Sequence, residues 1–189
     1  FAKYESFPLN AGAQVHALMN ELTSKLNKKD TIPDIPLLTV TSQVDTTINT
    51  QTTIELLTTW HNDKSRQSKQ HDTIFYFGDS ASLTTLPSSV NRVLPKCNDD
   101  FCKQIIDVAH TSMTISPLNV HYGWQGSYRN CEASLGSKHY KTCKTTSNVR
   151  LGENTEENLV QQPSLQRLTF NPNFTQMTEV IAEFISNTQ

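Results

Sequence analysis

With 189 residues, 35% of them hydrophobic, the chain is long enough to bury a core of its own as one domain, or as part of a larger one. Its net charge of −2 and isoelectric point near 6.3 argue against a nucleic-acid surface, which needs clustered Lys and Arg. A mean hydropathy of −0.49 and the lack of any apolar run near ~18 residues argue against a membrane span.

In chain order, residues 12–27 place Val15, Leu18, Met19, Leu22 and Leu26 at helical spacing, which predicts a helix with one buried stripe. Pro33 and Pro36 end it. Residues 35–41, IPLLTVT, form a near-continuous apolar and β-branched run, as expected of a strand covered on both faces in a parallel sheet. Residues 50–60 predict a second helix with Ile54, Leu57 and Trp60 on one face. The run HNDKSRQSKQ over 61–70 reads as a solvated connection. Residues 73–78, TIFYFG, predict a second strand, so the order is helix, strand, helix, strand. That alternation indicates an α/β class with parallel neighbours and a right-handed crossover.

Residues 79–89 read as a loop, and 90–94 as a short edge strand ended by Pro95. The segment 97–102 suits a hairpin turn, with 103–109 as the strand that returns. Residues 111–164 form a long loop or insertion region, with aromatic anchors Tyr122, Trp124, Tyr128 and Tyr140. Residues 165–170 suit a short extended piece, and 177–185 a closing amphipathic helix. Asn173-Phe174-Thr175 matches a glycosylation acceptor, a weak signal alone.

The four cysteines fall into two local pairs, Cys97 with Cys102 and Cys131 with Cys143. Two short closures are the economical reading, although four cysteines allow three connectivities. An even count suits an oxidising, extracytoplasmic compartment, periplasmic or secreted. Zinc is the rival reading, but neither pair has C-x-x-C spacing, so no metal and no cofactor are expected. The chain opens at Phe1 rather than Met, which is expected of a trimmed or truncated product and leaves a signal peptide undecided.

Two residues are well placed for chemistry. Asp45 lies just past the carboxyl end of the first predicted strand, the edge where ligands collect in open α/β sheets. His110 leaves the Val108-Ala109 run and enters a loop rich in turn formers, where a side chain is held yet open to substrate. His121, inside that loop, is the competitor for the histidine role. No G-x-S-x-G occurs, and the Gly126-Ser127 and Gly136-Ser137 pairs lack a flanking strand.

The stretch IPLLTVTSQVDTTINTQTTIELL resembles the penultimate strand, acid residue and next helix of the α/β-hydrolase superfamily. TIFYFG resembles its last strand, and VAHTSMTISPLNVHYG the histidine loop of bacterial esterase and lysophospholipase-like hydrolases; GSYRNC, RLTFNPNF and the closing helix suit the same group. The resemblance implies the C-terminal portion of a hydrolase sheet, mostly parallel strands with flanking helices plus a disulfide-containing irregular insertion. It implies Asp45 as the acid and His110 as the general base of a Ser-Asp-His triad acting on a carboxylic ester or lipid-like substrate. The nucleophile is expected outside this chain, which alone should be inactive, with a homo-oligomer or association with the missing N-terminal half as the two partner expectations. The alternatives are a non-catalytic interaction module, pairing with a second copy or a partner through an exposed sheet edge, and a pseudoenzyme.

Overall fold

The computed structural model describes residues 9–27, 32–145 and 149–188. Five helices run over Leu9–Asn27 (α1), Thr50–Asn62 (α2), His139–Thr145 (α3), Glu156–Gln161 (α4) and Phe174–Asn187 (α5). Five strands run over Leu38–Ser42 (β1), Thr73–Phe77 (β2), Asn91–Val93 (β3), Leu151–Gly152 (β4) and Gln166–Arg167 (β5). The class is mixed α/β with parallel pairing throughout both sheets.

The main sheet has the order β1-β2-β3. Leu38 pairs with Thr73 and Ser42 with Phe77; Thr73 also pairs with Asn91. β2 is therefore central, and its five residues TIFYF are all buried. The strand period of two divides them between two cores. Ile74 and Tyr76 pack with Ile54 and Leu57 of α2 and with Leu83, Leu86 and Val90. Phe75 and Phe77 pack with Val108, Met113, Leu151, Leu168, Phe170 and Met177. Asn49 caps α2 by accepting from Thr52 N, and Thr155 caps α4 by accepting from Asn158 N.

Four expectations are corrected. The stripe of α1 is not buried: Val15, Leu18, Met19 and Leu22 are 51%, 67%, 62% and 45% exposed. An amphipathic period specifies a face but not what lies against it. Segment 103–109 does not return to the main sheet. Residues 100–104 form a 3₁₀ turn, and Ile105 then bridges in parallel to Leu151 of β4, which pairs with β5. The insertion 111–164 is not wholly irregular, since it holds α3, β4 and α4. The run 61–70 is not simply solvated, because His61 and Arg66 are buried.

Both disulfides are local, Cys97–Cys102 and Cys131–Cys143. They are consistent with an oxidising environment.

Candidate active site

β1 ends at Ser42, and a turn closed by Asp45 N donating to Ser42 O carries Asp45 off the carboxyl end of the main sheet. The Asp45 carboxylate is held on two sides. Oδ1 accepts from Thr47 N and Ile48 N, each at 2.7 Å. Oδ2 lies 2.7 Å from His110 Nδ1. The Asp45 side chain is 2% exposed and that of His110 is 35% exposed.

His110 reaches this contact from the second sheet. Ile106 N donates to Leu151 O, Val108 and Ala109 sink into the core, and a 3₁₀ turn starts at His110 itself. Ser112 locks the turn by donating its N–H and its hydroxyl to Ala109 O. A carboxylate only accepts, so Nδ1 carries a proton, and in the neutral ring the lone pair is on His110 Nε2. Among the described residues Nε2 has no hydrogen-bond partner. A neutral imidazole oriented in this way can take a proton, and the adjacent carboxylate stabilises the imidazolium that results.

Behind His110 lies a layer of charge that no motif marks. Glu153, fully buried at the end of β4, accepts from His110 N through Oε2 at 3.0 Å. Its Oε1 accepts from Asn154 N at 2.8 Å and lies 2.7 Å from Arg167 Nε in a close ion pair. Burial by itself pushes the Glu153 carboxyl up, but the Arg167 hydrogen bond, the His110 and Asn154 amides and the Arg167 charge together bring it below its ordinary value. Glu153 N in turn donates to Asp107 Oδ1 at 2.6 Å, and Asn158 Nδ2 donates to Asp107 Oδ2 at 2.7 Å. Burial pushes the Asp107 carboxyl up, partly offset by these two donors. The available clue was a carboxylate directly after Leu151-Gly152, as Asp45 lies shortly after β1.

A cavity of about 580 Å3 opens close by in the chain, although neither Asp45 nor His110 lines it. Its wall includes Val44 and Val108, near neighbours of Asp45 and His110, together with Gln43, Asp79, Asp107 and Asn158. Its volume and convergent polar groups suit a small-molecule ligand.

The competitor His121 is placed differently. It stacks on Tyr122 and Tyr128, with ring centroids 4.5 Å and 5.6 Å away, and its Nδ1 lies 3.2 Å from Ser127 Oγ. Its ring contact is a hydroxyl rather than a carboxylate. Gly126-Ser127 and Gly136-Ser137 lie in loops and turns. Among the described residues no group of three His, Cys, Asp or Glu could hold a metal ion, and no helix is long and apolar enough to cross a membrane.

A second imidazole–carboxylate contact lies at the opposite, amino end of the main sheet. His61 Nδ1 lies 3.0 Å from Asp72 Oδ2, and the exposed Ser89 Oγ lies 2.6 Å from His61 Nε2. Asp72, however, is committed to Arg66, whose Nη1 and Nη2 donate to it at 2.7 Å and 3.0 Å, and to Leu37 N at 2.9 Å. An imidazolium forming there would face a guanidinium that already neutralises the carboxylate. This network ties the starts of the strands together: Arg66 also donates to Ile35 O, and Asn91 N to Asp72 O.

No protein-family model matches the chain, and no curated protein and no solved structure matches it.

Proposed function

We propose that Asp45 and His110 are the acid and the general base of a serine-hydrolase site that cleaves carboxylic esters, with the nucleophilic hydroxyl and the oxyanion donors supplied by polypeptide beyond these 189 residues. The carrying observation is the 2.7 Å contact between His110 Nδ1 and Asp45 Oδ2, made by a buried carboxylate and a half-exposed imidazole. His110 Nε2 takes the proton of the attacking hydroxyl, Asp45 stabilises the imidazolium, and the proton passes to the departing alkoxide. Water then repeats the sequence on the acyl intermediate, with His110 again as base. The cavity beside Val44 and Val108 is where this reading puts part of the ester. The likeness of the Asp45 and His110 segments to α/β-hydrolase sequences supports the same reading. The two disulfides favour an extracytoplasmic setting.

The test is hydrolysis of p-nitrophenyl esters by the intact protein. His110→Ala is expected to lower kcat by about 10³-fold or more with a small change in KM. Intact protein without esterase turnover, or turnover indifferent to His110→Ala, overturns the assignment.

One set of observations favours a second reading, a module that pairs with another copy or chain. β1 is the outer strand of its sheet, and the apolar side of α1 is exposed. Size-exclusion chromatography separates the readings: a monomer whose ester turnover depends on His110 rules out the module.

A further inference from the structure

We infer that Glu153 is a positioning residue for His110, gripping the backbone amide of the general base so that its imidazole stays on Asp45. The role rests on reading Asp45 and His110 as the acid–base pair, and concerns what holds that pair in register.

Glu153 and Asp45 act on His110 from two different sheets. Asp45 follows β1 of the main sheet and meets the ring. Glu153 follows β4 of the small sheet and meets the main chain of the same residue, at 3.0 Å. With the main chain held at the amide, the ring is left only χ1 and χ2 to choose, and the Asp45 contact selects among those rotamers. The pairing of Ile106 with Leu151 stops four residues short of His110, and this carboxylate continues that tether.

The carboxylate is itself over-determined. Arg167 Nη2 donates to Oε2 at 3.1 Å, and Nε lies 2.7 Å from Oε1 as an ion-pair contact without hydrogen-bond geometry. Arg167 N donates to Asn130 O at 3.0 Å, which ties this grip to the segment ending at the Cys131–Cys143 loop. The Glu153 amide is pinned to Asp107 Oδ1, an approach that needs Gly152: a Cβ there would lie 2.8 Å from the same oxygen. Position 153 is thus fixed through its amide and its carboxylate together.

A plain structural ion pair is the rival account, and the two differ in one respect. An ion pair is indifferent to which partner carries which charge. The grip on His110 is not, because an amide N–H needs an acceptor at position 153. The charge-swapped double variant, Glu153→Arg with Arg167→Glu, separates them. It can rebuild the pair, yet it sets a guanidinium against the amide.

The experiment uses nuclear magnetic resonance on the 189-residue protein, so it does not depend on ester turnover. In the wild type the His110 amide proton shift is expected to follow the titration of the Glu153 side-chain carboxyl with a common midpoint. In Glu153→Gln the side chain is at best a neutral acceptor, so His110 amide exchange is expected to rise about tenfold as a charged hydrogen bond gives way to a neutral one, and the Nδ1–H resonance on Asp45 to weaken. In the swap, thermal stability is expected to recover above that of Glu153→Gln while His110 exchange stays fast. A swap that restores slow exchange, or a His110 amide blind to the Glu153 titration, overturns the role. Should either variant fail to fold, the wild-type titration decides alone. Loss of the ester-hydrolysis reading would leave all of these resonances unchanged, so the two failures are distinguishable.

Discussion

His110 Nδ1 stands 2.7 Å from Asp45 Oδ2 although 65 positions separate them, and the contact joins residues delivered by two separate sheets. The pair thus depends on how those sheets pack over Phe75, Phe77, Val108 and Leu151. Damage to that shared core is damage to the site.

Asp45→Asn separates the chemistry of the carboxylate from its structural part. The amide oxygen can still accept from Thr47 N and Ile48 N, so the turn survives. The amide nitrogen then faces His110 Nδ1 and favours the tautomer with the proton on Nε2, where it blocks proton abstraction. On the proposed function, a fall in kcat of about 10²- to 10⁴-fold is expected in the intact protein, with the melting temperature nearly unchanged. Steady-state kinetics beside a thermal melt checks both halves.

At the other end of the main sheet, Arg66 and Asp72 are both 0% exposed in their side chains. Arg66→Met removes the charge that compensates Asp72 and leaves His61 as its remaining ionisable neighbour. A loss of about 3–5 kcal/mol is expected from urea unfolding. A loss under about 1 kcal/mol would show that the buried pair contributes little to the strand starts.

The two disulfides should differ in worth. Cys131–Cys143 spans 12 positions and Cys97–Cys102 spans 5. On loop-closure entropy alone, opening the first by paired Cys→Ser substitution costs about 3 kcal/mol and the second about 2 kcal/mol. Denaturant midpoints of the two double variants give the order, and an inverted order would show that packing around α3 or the 3₁₀ turn outweighs chain entropy.

Two carboxyls, the buried Glu153 and the half-buried Asp107, should tilt the acid limb in opposite directions. Glu153 is held below its ordinary value, so its contribution is fully present above the unfolded value of about 4.5 and is lost as pH falls through its lower folded value. Asp107 is raised above 3.8, so it favours the fold most at low pH, and that benefit is lost as pH rises through its higher folded value. The stability gap between wild type and Glu153→Gln is therefore expected to shrink as pH drops below about 4.5, measured as melting temperature against pH. A gap that widens on acidification would mean the sign for Glu153 is wrong.

Local pattern determined a good part of this protein. TIFYF had to be a strand, because no helical period breaks its five residues. VTSQVD put a carboxylate just beyond a strand end, Val108-Ala109-His110 put an imidazole at the mouth of a loop, and each cysteine had a partner within a short span. What each element would lie against was decided only in three dimensions. Ile106 chose β4 rather than the main sheet, the stripe of α1 stayed exposed, and the polar run 61–70 supplied His61 and Arg66 to a buried network. Glu153 took hold of His110 across 43 positions. Periodicity and turn chemistry are properties of neighbours in sequence, whereas strand partnership and the pairing of buried charges are settled by competition among distant segments for the same hydrogen-bonding edge and the same dry volume.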